Sequence, residues 1–246
     1  AEPFQMKQTA VDKPFRKIMR IKTIWWIILS GIMVQMAGYS GNTFMVALLQ
    51  RFFELPIEKA ALVTGLIVGV TGLFALTLGA RISDRLHQFS PNGRLNYGAI
   101  SLVGASVATY FALGQESTQL TLFTILFGIG WLLYYNYFTT IYPALQDVVE
   151  PRLRATAMAI YFAGQYLLGG ALGPVVTGWL SDHYSNAAMQ AAGAVEMTEG
   201  FKAVGLHDAL YIIPVTLLLT GVFIYMAGRS YVDDSESMMS GVRDAK

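Results

Sequence analysis

Apolar residues along the chain gather into six long runs that contain no charged residue and no histidine. They are Ile24–Leu49, Ala60–Ala80, Leu95–Gln115, Gln119–Gln146, Ala155–Leu180 and Ala209–Gly228. Each holds 20 to 28 residues, and about 20 helical residues suffice to cross the hydrocarbon core of a bilayer. None of the runs alternates apolar and polar residues with period two, so a closed barrel of strands is excluded and helices are predicted. The pattern predicts an all-α polytopic membrane protein with six transmembrane helices. It divides the chain into a basic linker segment (1–22), a six-helix bundle (23–229) and a polar tail (230–246). Ahead of the first run, Phe15, Ile18, Met19 and Lys22 share helical spacing, which predicts an interfacial helix. Trp25 and Trp26 follow at the level where indole rings favour the membrane surface.

Composition supports this pattern. Of 246 residues, 54% are hydrophobic and 13% charged, and the mean hydropathy is +0.47. A soluble domain carries about 25% charged residues. A cytosolic globular domain, a disordered chain and a nucleic-acid binder are therefore excluded, and the main partner is the lipid bilayer. The 17 Lys and Arg nearly balance the 16 Asp and Glu, so no anionic partner follows from the total. Their distribution is more telling. With six spans, 14 of the 17 basic residues fall on one side, and only Arg51, Lys59 and Lys202 fall on the other. The positive-inside rule then places both ends in the cytoplasm of a cell-membrane protein. There is no cysteine, so thiolate chemistry is absent. The chain begins at Ala1 with a polar, basic stretch, and a piece of a longer protein is expected.

The second run ends Gly79-Ala80-Arg81-Ile82-Ser83-Asp84-Arg85, and the fifth ends Thr177-Gly178-Trp179-Leu180-Ser181-Asp182-His183. Ser83 and Asp84 lie 98 residues before Ser181 and Asp182. The two runs exit on opposite sides, which predicts two inverted three-helix repeats, a transporter device. Ala80 to Arg85 with Gly93-Arg94 resembles the cytoplasmic signature loop of the major facilitator superfamily. Arg152 to Ile160, Gly169 to Pro174 and Gly178 to Asp182 resemble that superfamily's stretch entering and crossing its eleventh helix. The chain is most similar to the spinster-like branch, whose members move lysolipid- and sphingolipid-type amphiphiles, with organic-anion symporters close by. Two departures stand out. Ala80 replaces a glycine, and Leu86–Asn92 lengthens the loop. The resemblance covers the C-terminal half of a twelve-helix architecture, and it implies an N-terminal six-helix half as partner.

It also implies that first and fourth helices line a central path, shaped from the sides by second and fifth helices. In the first run Gln35, Tyr39 and Asn42 are spaced i, i+4, i+7 and share a face. The fourth run holds Tyr134, Tyr135 and Asn136, and the fifth holds Tyr161 and Gln165 at i, i+4. These amides and phenols suit the head of an amphiphile or organic anion in a greasy wall. They equally suit hydrogen bonding between helices, and that reading stays open. Among the loop charges, Asp84, Arg85, Arg94 and Asp147 form a candidate gate, with Arg85 or Arg94 pairing Asp147 or Glu150. The resemblance implies that this pair latches one of two arrangements, and that Arg154 faces the partner half. No Asp, Glu, Lys, Arg or His lies within a run, so ion or proton coupling is assigned to the other half.

Long hydrophobic runs without G-x-S-x-G, H-E-x-x-H or G-x-x-x-x-G-K-[ST] argue against an enzyme or an ATP-driven pump. No cofactor and no metal site are expected. Secondary active transport is the leading reading. The alternative is a six-span scaffold or partner protein without a transport cycle.

Overall fold

The computed structural model describes residues 14–244, and the basic residues before them in the linker lie outside that range. The described chain is helical throughout. A short α1 (Pro14–Ile18) leads into α2 (Lys22–Arg51). The second long rod is built from α3 (Ile57–Gly65), a π-helical segment (Leu66–Val70) and α4 (Thr71–Phe89). Next come α5 (Gly93–Leu113) and α6 (Leu120–Asp147). The fifth rod joins a 3-10 turn (Pro151–Leu153), α7 (Arg154–Ala163), a second π segment (Gly164–Gly170) and α8 (Ala171–Ala191). Finally α9 (Glu199–Ala209) precedes α10 (Ile212–Asp244).

Among the described residues, five stretches are long and apolar enough to cross a membrane: Lys22–Arg51, Ile57–Phe89, Leu120–Asp147, Pro151–Ala191 and Glu199–Ser240. The run expected to supply a sixth forms α5, a 21-residue helix outside that set. Its polar residues Ser101, Ser106 and Thr109 are buried between neighbours. Ser106 Oγ donates to the Pro214 carbonyl at 2.7 Å, which fastens α5 to the start of α10. The stripe expected before the first run is shorter than predicted. Ile18 is fully buried and Phe15 exposed, and the helix stops before Lys22 starts α2. The connection Leu86–Asn92 is mostly helix as well, because α4 continues to Phe89 before the chain turns at Pro91 and Asn92.

The core sits where α6 meets α2. Phe123, Phe127, Trp131 and Tyr134 follow one another at i, i+4, i+8, i+11, with ring centroids 5.3, 5.1 and 5.0 Å apart. The outer edges of the Tyr134 and Trp131 rings reach α2 where it has no side chains to offer. A Cβ at Gly38 would collide with the Tyr134 hydroxyl, and one at Gly41 with the Trp131 ring. Glycine costs helix stability, but here it lets two helices approach within the depth of an aromatic ring. The fifth rod closes on α2 by the same means. At Gly169 a Cβ would strike the Ile32 carbonyl oxygen and stand 2.9 Å from Gln35 Cβ.

The prolines relocate hydrogen bonds. Pro143 lies inside α6 and cannot donate to the Thr139 carbonyl one turn before it. Ser83 Oγ donates to that carbonyl instead, at 3.2 Å, so the end of α4 is pinned to α6. Around this core, α10 packs on α2 and α5, and α5 packs on α6. The second and fifth rods lie at the margins. Only 17% and 28% of their most apolar stretches are buried, against 39–56% for the other three. Leu62, Leu73, Leu167 and Val175 are among their exposed side chains.

Gly169→Val should lower the thermal unfolding midpoint in detergent by an amount worth about 1–3 kcal/mol, because carbonyl oxygen and backbone cannot give way. Gly65→Ala, with nothing within 4 Å of the new methyl, should leave the midpoint unchanged or raise it. Equal effects at both positions would mean that the close approach at Gly169 is not what holds the fifth rod.

Candidate functional site

Two constellations come together, one inside the bundle and one at its end. The inner one starts from the glycine contact between α2 and the fifth rod. Gly169 and its neighbours cover Gln35, which is 6% exposed. Gln165 is fully buried, and its Nε2 donates to Gln35 Oε1 at 3.2 Å. A hydroxyl relay lies beside this amide pair. Tyr137 Oη meets Tyr161 Oη at 2.9 Å and Ser30 Oγ at 3.0 Å, and Ser30 donates to the Ile27 carbonyl. Asn136 Nδ2 donates to Ser101 Oγ at 3.4 Å, and its Oδ1 lies against Gly79.

The face expected from Gln35, Tyr39 and Asn42 is therefore divided. Gln35 is sealed under the fifth rod, while Tyr39 is 40% exposed and Asn42 is exposed. The helix does place the three on one side. Where the fifth rod crosses that side decides which of them it covers. Tyr39 meets Tyr166 edge-on at 6.4 Å, and Tyr166 is itself exposed. Tyr135 is half-buried beside Gly72. Tyr134 and Tyr161 are buried in the core. The candidates thus split into Gln35, Tyr134, Asn136, Tyr161 and Gln165 inside, and Tyr39, Asn42 and Tyr135 towards the surface.

At the end where α5 begins, charged groups assemble around Arg94. Its side chain is only 10% exposed. Nη1 donates to Asp147 Oδ2 at 3.0 Å and Nη2 to Asp84 Oδ1 at 3.3 Å. One guanidinium thereby ties α4, α5 and α6 together, a task suited to its planar fork of donors. Asp147 Oδ2 also accepts from Tyr231 Oη at 2.8 Å, a partner that the sequence pattern did not single out. The signal for it would have been a lone tyrosine one turn past the last apolar run, too common to notice. The same part of α10 grips α2: Asp234 Oδ2 accepts from the Thr23 backbone N–H at 2.9 Å and from its hydroxyl at 2.7 Å. Arg85 is exposed and makes no ion pair among the described residues. Glu150 takes no part in the cluster. Arg154 Nε donates to the Gln146 carbonyl at 3.0 Å. Its side chain, with Asp147, His87 and Tyr231, lines a cleft of about 580 Å³. Among the described residues there is no grouping of three acidic, histidine or cysteine side chains able to hold a metal.

The model of the Major Facilitator Superfamily matches residues 2–174. The chain belongs to that superfamily. It is a multi-pass membrane protein of transporter type and not an enzyme. Among its relatives is an MFS-type efflux pump of Mycolicibacterium smegmatis, 26% identical over 211 residues, covering 82% of this chain and 46% of the pump. The sphingosine-1-phosphate transporter SPNS2 of Danio rerio is 28% identical over 181 residues, 73% of this chain and 34% of that protein. Protein spinster homolog 3 of Homo sapiens is 31% identical over 130 residues, 52% of this chain and 25% of that protein. A crystal structure of a bacterial homolog of the human lysosomal transporter Spinster, inward-facing and unoccupied, superposes with a TM-score of 0.82. It is 21% identical, covering 95% of this chain and 53% of that one. The chain is thus spinster-like, and it covers from a quarter to about half of the length of the superfamily members it matches.

Arg94→Gln should destabilise the bundle by about 1–3 kcal/mol, because two carboxylates lose a charged donor. Arg85→Gln should stay within about 0.5 kcal/mol, as for a solvated surface residue. Thermal unfolding of both variants checks this, and a drop for Arg85→Gln as large as that for Arg94→Gln would remove Arg94 from its central place.

Proposed function

We propose that this chain forms one six-helix half of a secondary active transporter that works by alternating access. Its N-terminal counterpart, another six-helix bundle, completes the central path. One observation carries this reading. The two π segments begin at Leu66 and Gly164, 98 residues apart, the same offset that relates Ser83-Asp84 to Ser181-Asp182. Two inverted three-helix units would produce that offset, and such units are how many transporters are built. The poorly buried second and fifth rods agree with it, since side-lying helices of a half must meet a second bundle. Both ends of the segment face the cytoplasm of the cell membrane in this reading.

The substrate is a lipid-like or organic-anion amphiphile. The relatives that are named as an efflux pump and a sphingosine-1-phosphate transporter support this class. Tyr39, Asn42 and Tyr135 contact the substrate head. Gln35, Asn136, Tyr161 and Gln165 act by holding the helices that carry them. Coupling to an ion or proton gradient runs through the other half. Asp84, Arg94 and Asp147 latch one of two rigid-body arrangements, and Arg154 faces the counterpart across the cleft.

Transport of a fluorescent sphingoid phosphate and of an organic anion, by the intact protein in proteoliposomes, tests this. Tyr39→Ala and Asn42→Ala should cut uptake at least severalfold without moving the unfolding midpoint. Gln165→Leu should lower the midpoint by an amount worth about 1–2 kcal/mol, through the stranded Gln35 amide. No gradient-driven flux of either substrate, from protein that unfolds cooperatively, would favour a scaffold without a transport cycle.

A further inference from the structure

At the end of the bundle opposite Arg94, a single imidazole joins four helices. His207, in the last turn of α9, has a side chain only 15% exposed. Its Nε2 lies 2.6 Å from the carbonyl oxygen of Leu113, the last residue of α5. Its Nδ1 lies 3.0 Å from Asp208 Oδ1. The ring stacks on Phe52, just past the end of α2, at 4.2 Å and 11°. Tyr211, leading into α10, meets it edge-on at 5.8 Å. Turning the ring over would set a carbon against the Leu113 oxygen, well inside the roughly 3.3 Å at which C–H and oxygen meet.

Both nitrogens therefore face acceptors. A carbonyl can only accept, and a carboxylate does the same when charged. A neutral imidazole has one N–H and can satisfy only one of them. The imidazolium satisfies both, and its charge then sits against the C-terminal end of α5, where the helix dipole favours a cation. We propose that His207 is a proton-binding site whose occupancy braces α9 against the ends of α5 and α2. The inference stands apart from the transport reading and needs no substrate.

The surrounding charges leave that role to a proton. Arg51 at the end of α2 reaches Glu199 at 3.7 Å, and Lys202 reaches the same carboxylate at 2.8 Å, so the nearby cations are engaged along α9. Glu54 follows α2 and Glu116 follows α5, and the phenols of Tyr110 and Tyr211 pack together at 5.6 Å. Asp208 is the carboxylate in contact with the ring.

The deprotonated ring keeps one N–H and loses one contact. The Asp208 carboxylate, on the same helix, is the charged acceptor and holds the Nδ1 proton, so the contact given up is the one from Nε2 to Leu113 on α5. The brace is fully present on the acid side and weakens as pH rises. Hydrogen exchange of the full chain in detergent, corrected for intrinsic rates, should show protection in 199–209 falling about tenfold as the pH is raised. His207→Gln offers one fixed donor and should abolish this pH dependence. Asp208→Asn, at a half-exposed position, should also abolish it, because an amide can donate to the neutral Nδ1 and leave Nε2–H on the Leu113 carbonyl. Selective 15N-histidine spectra give a direct readout. Of the three imidazoles in the chain, the one missing in His207→Gln should carry protons on both nitrogens at the acid end. A neutral His207 across the range, or equal pH dependence of protection in wild type and Asp208→Asn, would overturn the proposal.

Discussion

Hydrogen-bonding groups placed in hydrocarbon have to find partners within the protein, since each one left unpaired costs several kcal/mol there. That constraint orders the interior of this bundle. Gln35 is paired by Gln165, Asn136 by Ser101, and Tyr137 by both Tyr161 and Ser30. Each pair joins two helices, so every pairing is also a statement about which helices are neighbours. The pairs can form only because backbones come close. Glycines on α2 admit the rings of α6, and Gly169 admits the α2 backbone to the fifth rod. Packing and polar pairing thus require one another, and loosening one glycine contact would strand an amide.

The ends of the bundle obey a milder form of the same rule. Arg94 enters the helical part of α5 and is nearly covered, so it takes two carboxylates from two other helices. Asp147 is in turn shared with Tyr231. Through Asp234 and Thr23, α10 also caps the N-terminus of α2, satisfying an amide that helix geometry leaves without a partner. Pro143 frees a carbonyl and Ser83 claims it. One end of the bundle is consequently a linked set of contacts reaching α2, α4, α5, α6 and α10, while the second and fifth rods keep broad apolar faces uncovered.

Much of the helical layout was legible from charge-free runs, because charged side chains are expelled from hydrocarbon and mark the edges of each helix. The run at 95–115 was legible by the same means, although its serines and threonine make it less apolar than the others. The helix Glu199–Ala209 was not. Its apolar positions are short and mixed with charges, and the alanine-rich stretch before it prolongs α8 to Ala191. The π segments were equally silent, since a one-residue change of helical register leaves no mark on composition. Of the candidate polar residues, spacing found the helices and even the shared face. It could not tell Gln35 from Asn42, because burial depends on where another helix crosses.

By itself, the sequence determined that lipid is the solvent, that helices are the means of crossing it, and which superfamily's signature residues the chain carries. These follow from local chemistry: the cost of charge in hydrocarbon, the period of the helix, and short motifs. Only the tertiary structure decided which polar residues face one another, which of two arginines holds Asp147, and that both nitrogens of His207 meet acceptors. Apart from Asp208 beside His207, those facts rest on contacts between residues 24 to 130 positions apart in the chain, and no local pattern encodes a distance of that kind.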